Sequence, residues 1–495
     1  MANDSIDRFL KADPSARLRM IDEPDHAAAL RQYFGTAAFD EYAAVAARVR
    51  RSSGGRVFVR RPANLVFVPG VMGSQLQSRT LGGIWWLDLR GLDKLNRMKI
   101  SADGTEDATA SIDVIAATSD PSYEAFFAAI LQRDDFAHKI FPFDWRKSPA
   151  FSAAALRDTI AALHASNGGN PVHVVAHSMG GLVVRAALTR YGAEIWPRLG
   201  RIVFIATPHY GSPSMAGYLK NHLWGFELLT LLGLYLSRET FRSLWGMLSM
   251  LPAPRGIYPG TRPPGVDDAK PRRSPDPGDR YVHPCANFDL YDAQAWKLDL
   301  SAEETSRLQT ILDGTAALHK ELYQAHAGFS QQQRDSMCMI AGVGYKTLFR
   351  LAYRDRLLGL WEHMDKVTDR IPGDPHREGD GRVTLASAEL EQIGAIRYFN
   401  GVHGGLPMMA PVYADVFRWL RNEPLQLPRT PAEALSQPVA ARASSLTPHL
   451  DGTIRAHGDD PGYWQRDAPS PDRVHALQRQ LEKGTLPEFL SVRVF

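Results

Sequence analysis

The sequence predicts an α/β protein with a doubly wound, mainly parallel sheet and a cap inserted between two of its strands. Short β-like runs alternate with helical stretches from about residue 62 to 425, the pattern of consecutive βαβ units. The β-like runs are short and apolar, which favours a parallel sheet covered by helices. The predicted strands are 65–68, 139–143, 172–176, 202–205, 337–341 and 396–399, and the clearest predicted helices are 123–132, 153–164 and 182–191.

The chain divides into three predicted parts, with a long insertion in the middle one. Residues 1–61 form a helical N-terminal extension, residues 62–425 the α/β domain, and residues 426–495 a C-terminal extension of unknown role. The insertion, at about residues 212–332, resembles a cap over an active site. Its segment 223–236 is strongly apolar but too short to cross a bilayer, 252–284 is predicted to be irregular, and 301–324 is predicted to form two helical segments.

Composition excludes some kinds of partner. Of the 495 residues, 57 are Lys or Arg and 54 are Asp or Glu, giving a net charge of +3. Because no Lys/Arg run forms a basic stripe, we expect no nucleic-acid partner. The two cysteines, Cys285 and Cys338, cannot build a disulfide framework, which favours a reducing compartment. The N-terminus is charged where a signal peptide is apolar, and no transmembrane-length apolar run is present, so we expect a cytoplasmic protein.

A predicted strand runs directly into a predicted helix at Ser178. Residues 171–182 read Pro-Val-His-Val-Val-Ala-His-Ser-Met-Gly-Gly-Leu. A nucleophile elbow holds its serine on a strained strand-to-helix turn, and the close approach of strand and helix requires small residues such as Ala176 and Gly180. A Ser-Gly turn at a helix start is common by itself. The strand before, the helix after and the partners downstream predict the α/β-hydrolase fold, with Ser178 as nucleophile.

The acid and the base should follow the serine in the order Ser, Asp or Glu, His. Asp380 lies between two glycines in a loop after the predicted strand 337–341, and Asp374, between Gly and Pro, is the alternative acid. His403 follows the last predicted strand in a glycine-rich loop and is the predicted base. His209 precedes the acid in the chain and is a candidate for lining the substrate pocket.

The oxyanion hole should use two backbone amides. One belongs to Met179, the residue after the nucleophile, and the other to the loop that follows the first strand. That loop reads Pro-Gly-Val-Met-Gly-Ser over residues 69–74, and Val71 is the predicted second donor. The alternative is an ordinary Pro-Gly turn at the end of a strand.

Several separated motifs resemble the lecithin:cholesterol acyltransferase-like family of α/β-hydrolases. They are residues 68–76, residues 141–146 (Phe-Pro-Phe-Asp-Trp-Arg, with Phe in place of the family's Tyr), the elbow at 176–180, residues 206–212 and residues 379–383. The resemblance covers about residues 62–420 and implies a triad of Ser178, Asp380 and His403. The disulfides of the secreted animal members cannot form here, and the insertion shows no obvious match to their lid. Asp144 and Arg146 are expected to form a buried ion pair that holds a strand end.

These residues predict a serine-dependent lipid ester hydrolase or O-acyltransferase that works through an acyl-enzyme. Such chemistry needs no cofactor and no metal. The expected partners are a lipid or other acyl ester, an alcohol acceptor if acyl transfer occurs, and a lipid interface for peripheral contact. The apolar segment 223–236, with Trp224, suits acyl-chain binding or simple packing of the cap. The alternatives are a soluble carboxylesterase for small esters and a non-catalytic binding protein with the same fold.

Overall fold

The computed structural model describes most of the chain up to residue 437. The described residues are 2–34, 36–52, 62–86, 88, 92–120, 123–133, 135–220, 238–260, 283–285, 288–356, 361–367 and 370–437. The apolar segment 223–236 with Trp224, and the C-terminal extension beyond residue 437, lie outside them. Within these residues no helix has both the length and the apolar character needed to cross a bilayer. Cys285 and Cys338 are both buried free thiols.

The described part of the N-terminal extension contains four helices: α1 (Ala2–Lys11), α2 (Pro14–Asp22), α3 (Pro24–Phe34) and α4 (Thr36–Ser52). Asp13 caps α2 by accepting a hydrogen bond from the amide of Ala16 at 2.8 Å. The apolar side chains of these helices, such as Phe9 and Leu30, belong to the same buried cluster as strand residues of the α/β domain. The extension is therefore packed onto the domain.

One buried ion pair fixes that packing. The guanidinium of Arg17, fully buried, donates to the Glu124 carboxylate at 3.0 Å and to the Ser119 carbonyl at 2.8 Å. It also donates to the carbonyl of Phe9 within its own extension at 3.1 Å. Burial raises the pKa of Glu124 to about 7 even though the charge of Arg17 opposes that shift.

The rest of the described chain alternates strands with helices. Its elements are β1 (Ala63–Val68), β2 (Ser74–Ser78), β3 (Ile84–Trp86), β4 (Val114–Ser119), α5 (Glu124–Leu131), β5 (Phe136–Ile140), α6 (Ala153–Ser166), β6 (Val172–His177), α7 (Met179–Ile195), β7 (Leu199–Ile205), α8 (Pro213–Leu219), α9 (Arg238–Arg242), α10 (Trp245–Leu248), α11 (Ala302–Gly328), α12 (Gln331–Asp335), β8 (Met337–Val343), β9 (Tyr345–Lys346), β10 (Arg350–Arg356), β11 (Trp361–Val367), β12 (Glu378–Gly379), α13 (Leu385–Ala388), β13 (Ala395–Asn400), α14 (Ala410–Leu420) and α15 (Pro431–Ser436).

Six parallel strands form the central sheet, in the order β13-β8-β7-β6-β1-β5. The predicted parallel sheet is confirmed, and each of its strands overlaps a predicted one. Strand β5 begins three residues before the predicted start at 139, because Phe136 pairs with Ala63 at the start of β1. The strand order reverses beside β1, so the connections after β1 and β6 leave to opposite faces. A crevice at the carboxyl ends of the strands is expected at such a switch point.

Side chains of β1 alternate between two apolar clusters. Leu65 and Phe67 pack in a cluster with residues of α5 and α14. Val66 and Val68 belong to the larger cluster, which includes residues of α6 and α7. Both faces of the sheet are thus covered, which explains why its strands are apolar at successive positions.

The insertion contains one long helix in place of the two predicted segments. Helix α11 runs unbroken over 27 residues and begins with a capping box formed by Ser301 and Glu304. Gly314 lies in its interior, where glycine is less favourable than alanine by about 1 kcal/mol. The indole ring of Trp245 packs directly on this glycine, and any Cβ at position 314 would overlap that ring.

The sequence prediction also missed three small antiparallel sheets. They pair β2 with β3 and β4, β9 with β12, and β10 with β11. Several of these strands have only two or three residues, too few to show a period of two.

Loss of water around the ring holds three histidines of the described chain neutral, two of which, His283 and His319, lie in the core. The ring of His283 donates to the Ala253 carbonyl at 2.8 Å, and that of His319 donates to the Leu251 carbonyl at 2.9 Å. Desolvation lowers the pKa of both to about 4, and it lowers the pKa of His173 to about 4 with help from the nearby charge of Arg201.

We expect the protein to lose stability as the pH falls from neutrality towards 4. The pKa of each of these histidines is lower in the folded chain than its ordinary value of about 6.5. Between those two values only the unfolded chain binds the proton, so each histidine removes roughly 1.4 kcal/mol of stability per pH unit. Urea unfolding at a series of pH values measures the slope.

His319→Gln supplies the control for the acid effect, because its amide can still donate to the Leu251 carbonyl but does not titrate. The slope should become shallower by roughly 1.4 kcal/mol per pH unit in that variant. An unchanged slope would contradict the assignment of His319 as a neutral, buried group.

Candidate active site

The elbow at Ser178 is a strained turn between β6 and α7. Ser178 has φ of 51° and ψ of −126°, a conformation that side chains rarely adopt. Its amide donates to the Ile205 carbonyl at 2.9 Å, which joins the turn to β7. A Cβ at Gly180 would overlap the carbonyl oxygens of Pro69 and Val68, so the helix passes the end of β1 with no room for a side chain.

A continuous chain of hydrogen bonds joins Ser178, His403 and Asp380. The Oγ atom of Ser178 lies 2.9 Å from Nε2 of His403, and Nδ1 of His403 lies 2.8 Å from Oδ2 of Asp380. A carboxylate only accepts hydrogen bonds, so Nδ1 carries the proton of the neutral ring and Nε2 is free to accept from the serine hydroxyl. All three residues are at most 4% exposed. This geometry suits removal of the serine proton by the imidazole.

The carboxylate of Asp380 is held by its own loop. Its Oδ1 atom accepts the amides of Arg382 and Val383 at 2.9 Å and 2.8 Å, while its carbonyl accepts the amide of His403 at 3.0 Å. Gly381, with φ of 92°, allows the sharp turn that aims both amides at the carboxylate. The acid and base loops are therefore joined by main chain as well as by side chains.

Asp374, the alternative acid, has a different environment. Its Oδ1 atom accepts the amide of His376 at 3.0 Å, which forms an Asx turn, and its Oδ2 atom lies 3.8 Å from the guanidinium of Arg377. The structure brings Asp380, and not Asp374, to His403.

The loop after β1 lies against the serine. A Cβ built on Gly70 would be 3.0 Å from the Cβ of Ser178, and the amide of Gly73 closes the loop by donating to the Gly70 carbonyl at 3.0 Å. Val71 and Met179, the predicted oxyanion donors, are both buried. Met179 is the first residue of α7, where backbone amides have no partner inside the helix and favour negative charge.

His209 lies against the sheet, in contact with Phe204. The two rings are 4.9 Å apart, and the carbonyl of His209 accepts a hydrogen bond from Arg185 at 2.8 Å. Burial, with a smaller effect from the charge of Arg185, holds the pKa of His209 well below its ordinary value. Within the described residues no hydrogen bond or ring contact joins His209 to the hydrogen-bonded chain of Ser178. Its role in the pocket stays a prediction, and Trp224 is outside the described residues.

The Asp-Trp-Arg motif forms a buried ionic cluster, as the sequence indicated. The guanidinium of Arg146, fully buried, lies 2.9 Å and 2.7 Å from the two Asp144 oxygens and 2.5 Å from Oδ1 of Asp107. Its carbonyl accepts the amide of Gly246 at 2.8 Å. The cluster thus joins the segment that follows β5 to the stretch from Met98 to Val114 and, through the Gly246 bond, to the start of α10.

Sequence reasoning missed two residues beside the serine, His177 and Tyr123. The Nδ1 atom of His177 lies 2.8 Å from the Tyr123 hydroxyl, and its Nε2 atom lies 3.2 Å from the His403 carbonyl. The sequence showed His177 only as the residue before the serine in the elbow, and Tyr123 lies 54 positions earlier. A single sequence carries no signal that links them.

One family model matches part of the chain. The lecithin:cholesterol acyltransferase family model matches residues 135–259, a range that contains the Asp-Trp-Arg motif and the elbow. The resemblance to that family is confirmed over this range, and Asp380 and His403 lie beyond it. A search of curated proteins found no match.

Matches among solved structures include three chains of low sequence identity. The Tle4-Tli4 complex is 15% identical over 73% of this chain and 97% of that chain, with a TM-score of 0.46. The mature lipase BlEst2 of Bacillus licheniformis is 13% identical over 71% and 89%, with a TM-score of 0.31. The metagenomic carboxyl esterase MGS0156 is 15% identical over 72% and 69%, with a TM-score of 0.29.

The sheet order, the elbow and the family match together identify the fold. The chain has an α/β-hydrolase fold, and its residues 135–259 match the model of the lecithin:cholesterol acyltransferase family.

Proposed function

We propose that the protein is a serine-dependent ester hydrolase or O-acyltransferase, with Ser178 as nucleophile, His403 as base and Asp380 as the residue that orients the base. The observation that carries this proposal is the hydrogen-bonded chain from Ser178 to Asp380, with separations of 2.9 Å and 2.8 Å, on a strained elbow. A serine and an imidazole at this separation in a buried site form an activated nucleophile.

The reaction follows from that geometry. Nε2 of His403 takes the hydroxyl proton as Oγ of Ser178 attacks the ester carbonyl, and the amides of Val71 and Met179 stabilise the resulting oxyanion. Asp380 stabilises the imidazolium. Collapse breaks the C–O bond of the ester, His403 gives its proton to the leaving alkoxide, and an acyl-enzyme remains. Water or an alcohol then takes the acyl group by the same steps in reverse.

For the substrate we propose a lipid or another long-chain acyl ester. The support is the relation to the lecithin:cholesterol acyltransferase family over residues 135–259. The triad treats water and an alcohol alike, so the choice between hydrolysis and acyl transfer depends on water exclusion and on a site for the acceptor alcohol.

A fluorophosphonate probe tests the nucleophile. It should label one residue, Ser178, in the folded protein, and Ser178→Ala should lose both labelling and esterase activity. Ser249→Ala is a matched control, because that buried serine donates to the Trp245 carbonyl at 2.7 Å within the insertion. Its labelling and activity should match the unmodified protein. Full esterase activity in Ser178→Ala would refute the proposal.

Chain-length dependence tests the substrate class. Rates on esters of short and long acyl chains, with and without a lipid interface, should favour long chains at the interface. Higher rates on short, water-soluble esters would instead identify a carboxylesterase. A protein that binds such esters but never labels at Ser178 would be a binding protein with this fold.

A further inference from the structure

A tyrosine and a histidine outside the proposed triad connect three parts of the site. Tyr123 begins the turn into α5, and His177 is the last residue of β6. Both are buried, at 3% and 1% exposure. Their rings meet edge to face, with centroids 5.7 Å apart, and the ring of His177 lies 5.3 Å from that of His403.

Hydrogen-bonding rules assign a direction to every bond in this group. The amide of Gly70 donates to the Tyr123 hydroxyl at 2.9 Å, so that oxygen acts as acceptor towards the loop after β1. Its proton is then available for Nδ1 of His177, at 2.8 Å. The Nε2 atom of His177 must carry the ring proton and donates it to the His403 carbonyl at 3.2 Å.

The direction of these bonds requires a neutral His177. Burial, together with the nearby His403, holds the pKa of His177 well below its ordinary value. Burial also raises the pKa of the Tyr123 hydroxyl, so its proton stays in place. His177 therefore has one fixed tautomer, and a chain of hydrogen bonds with a single direction runs from the Gly70 amide to the His403 carbonyl.

We propose that Tyr123 and His177 are positioning residues. They hold the loop after β1, which presents the Val71 amide, and the loop that carries His403 in fixed positions around Ser178. The inference rests on the function proposed above. Gly70 immediately precedes Val71, so a bond to the Gly70 amide orients the loop that presents the Val71 amide. The bond to the His403 carbonyl fixes the main chain of the base. Small errors in the placement of catalytic groups are costly, at roughly a hundredfold for 1 Å.

Removing one hydroxyl should therefore slow turnover without weakening substrate binding. Tyr123→Phe keeps the ring packed and loses both bonds of the hydroxyl. We expect kcat to fall about tenfold to a hundredfold, with KM changed less than about twofold. Tyr398→Phe is the matched control, since it removes a 2.7 Å bond from a tyrosine hydroxyl to Glu389 and Tyr398 packs in a separate cluster with Ala434 of α15. It should leave kcat unchanged.

Two variants of His177 separate positioning from packing. His177→Leu removes both bonds and should lower kcat at least as much as Tyr123→Phe. His177→Gln has an amide that reaches the position of Nε2 and can donate to the His403 carbonyl, so it should recover part of that loss. Thermal unfolding of each variant, compared with Tyr398→Phe, shows whether stability alone has changed.

The outcomes distinguish this proposal from the proposed function. Wild-type kcat in both Tyr123→Phe and His177→Leu, with fluorophosphonate labelling of Ser178 intact, would overturn the positioning role and leave the nucleophile standing. If Ser178 does not label at all, imidazole ¹⁵N spectra decide the matter. The proposal expects His177 protonated on Nε2 and a shift of the His403 ring signals in Tyr123→Phe. Unshifted His403 signals would overturn it.

Discussion

Asp380→Asn is expected to lower kcat by about ten-thousandfold while the protein remains folded. One carboxylate oxygen of Asp380 accepts two backbone amides and the other accepts Nδ1–H of His403. An asparagine has only one acceptor oxygen, so its NH₂ group must face either the amides or the imidazole. Facing the imidazole, it favours the tautomer with the proton on Nε2, which can no longer take a proton from Ser178. In a serine protease the equivalent change costs about 10⁴ in kcat.

Asp374→Asn is the matched control for that experiment. Asparagine forms Asx turns as well as aspartate does, so the 3.0 Å hydrogen bond from the His376 amide is kept. Its ester hydrolysis rate should stay within about twofold of the unmodified protein. Steady-state kinetics and far-UV circular dichroism on both variants give the comparison. Equal losses in the two variants would mean that the acid has been wrongly assigned.

Arg146→Met is expected to destabilise the protein by about 3–5 kcal/mol. The substitution leaves Asp144 and Asp107 buried without the guanidinium that lies 2.7 Å and 2.5 Å from them. It also removes donors to the carbonyls of Met98 and Val114. Breaking a buried pair by removing one partner is costly because the remaining charge has lost its water as well as its counter-ion. Urea unfolding measures the difference.

Arg79→Met tests whether burial of the ion pair is the cause of the loss of stability expected for Arg146→Met. Arg79 makes a similar two-pronged contact with Asp113, at 2.8 Å and 2.9 Å, but these side chains are 62% and 40% exposed. Water solvates Asp113 when Arg79 is removed, so the midpoint of unfolding should barely move. If Arg146→Met shifted the midpoint no more than Arg79→Met, the buried cluster would not be a source of stability.

The sequence was most informative where a feature is local in the chain. The elbow needs a strand, a serine between small residues and a helix, and all of these occur within residues 171–195. The six central strands could be predicted because both faces of the sheet are covered, which makes each strand an unbroken apolar run. The need for a small residue at Gly180 could be predicted because strand and helix approach closely there, and a Cβ would overlap the end of β1.

Features that depend on distant residues could not be predicted. The need for glycine at position 314 comes from the ring of Trp245, which lies in another segment of the insertion. Tyr123 looked like an ordinary helix start, since its hydroxyl partners, Gly70 and His177, come from two other elements. The start of β5 is set by pairing with β1 and not by its own hydrophobicity, so a propensity estimate placed it too late.

The Arg17–Glu124 pair has a consequence for the order in which the chain is made. The two residues are 107 positions apart, and chains grow from the N-terminus at about 5–20 residues per second. The first helices therefore leave the ribosome well before the carboxylate that completes their contact. During that interval apolar side chains such as Phe9 and Leu30 lack the residues of the α/β domain that bury them in the folded protein. A nascent chain stalled before Glu124 should therefore depend on a chaperone more than the released, full-length chain does.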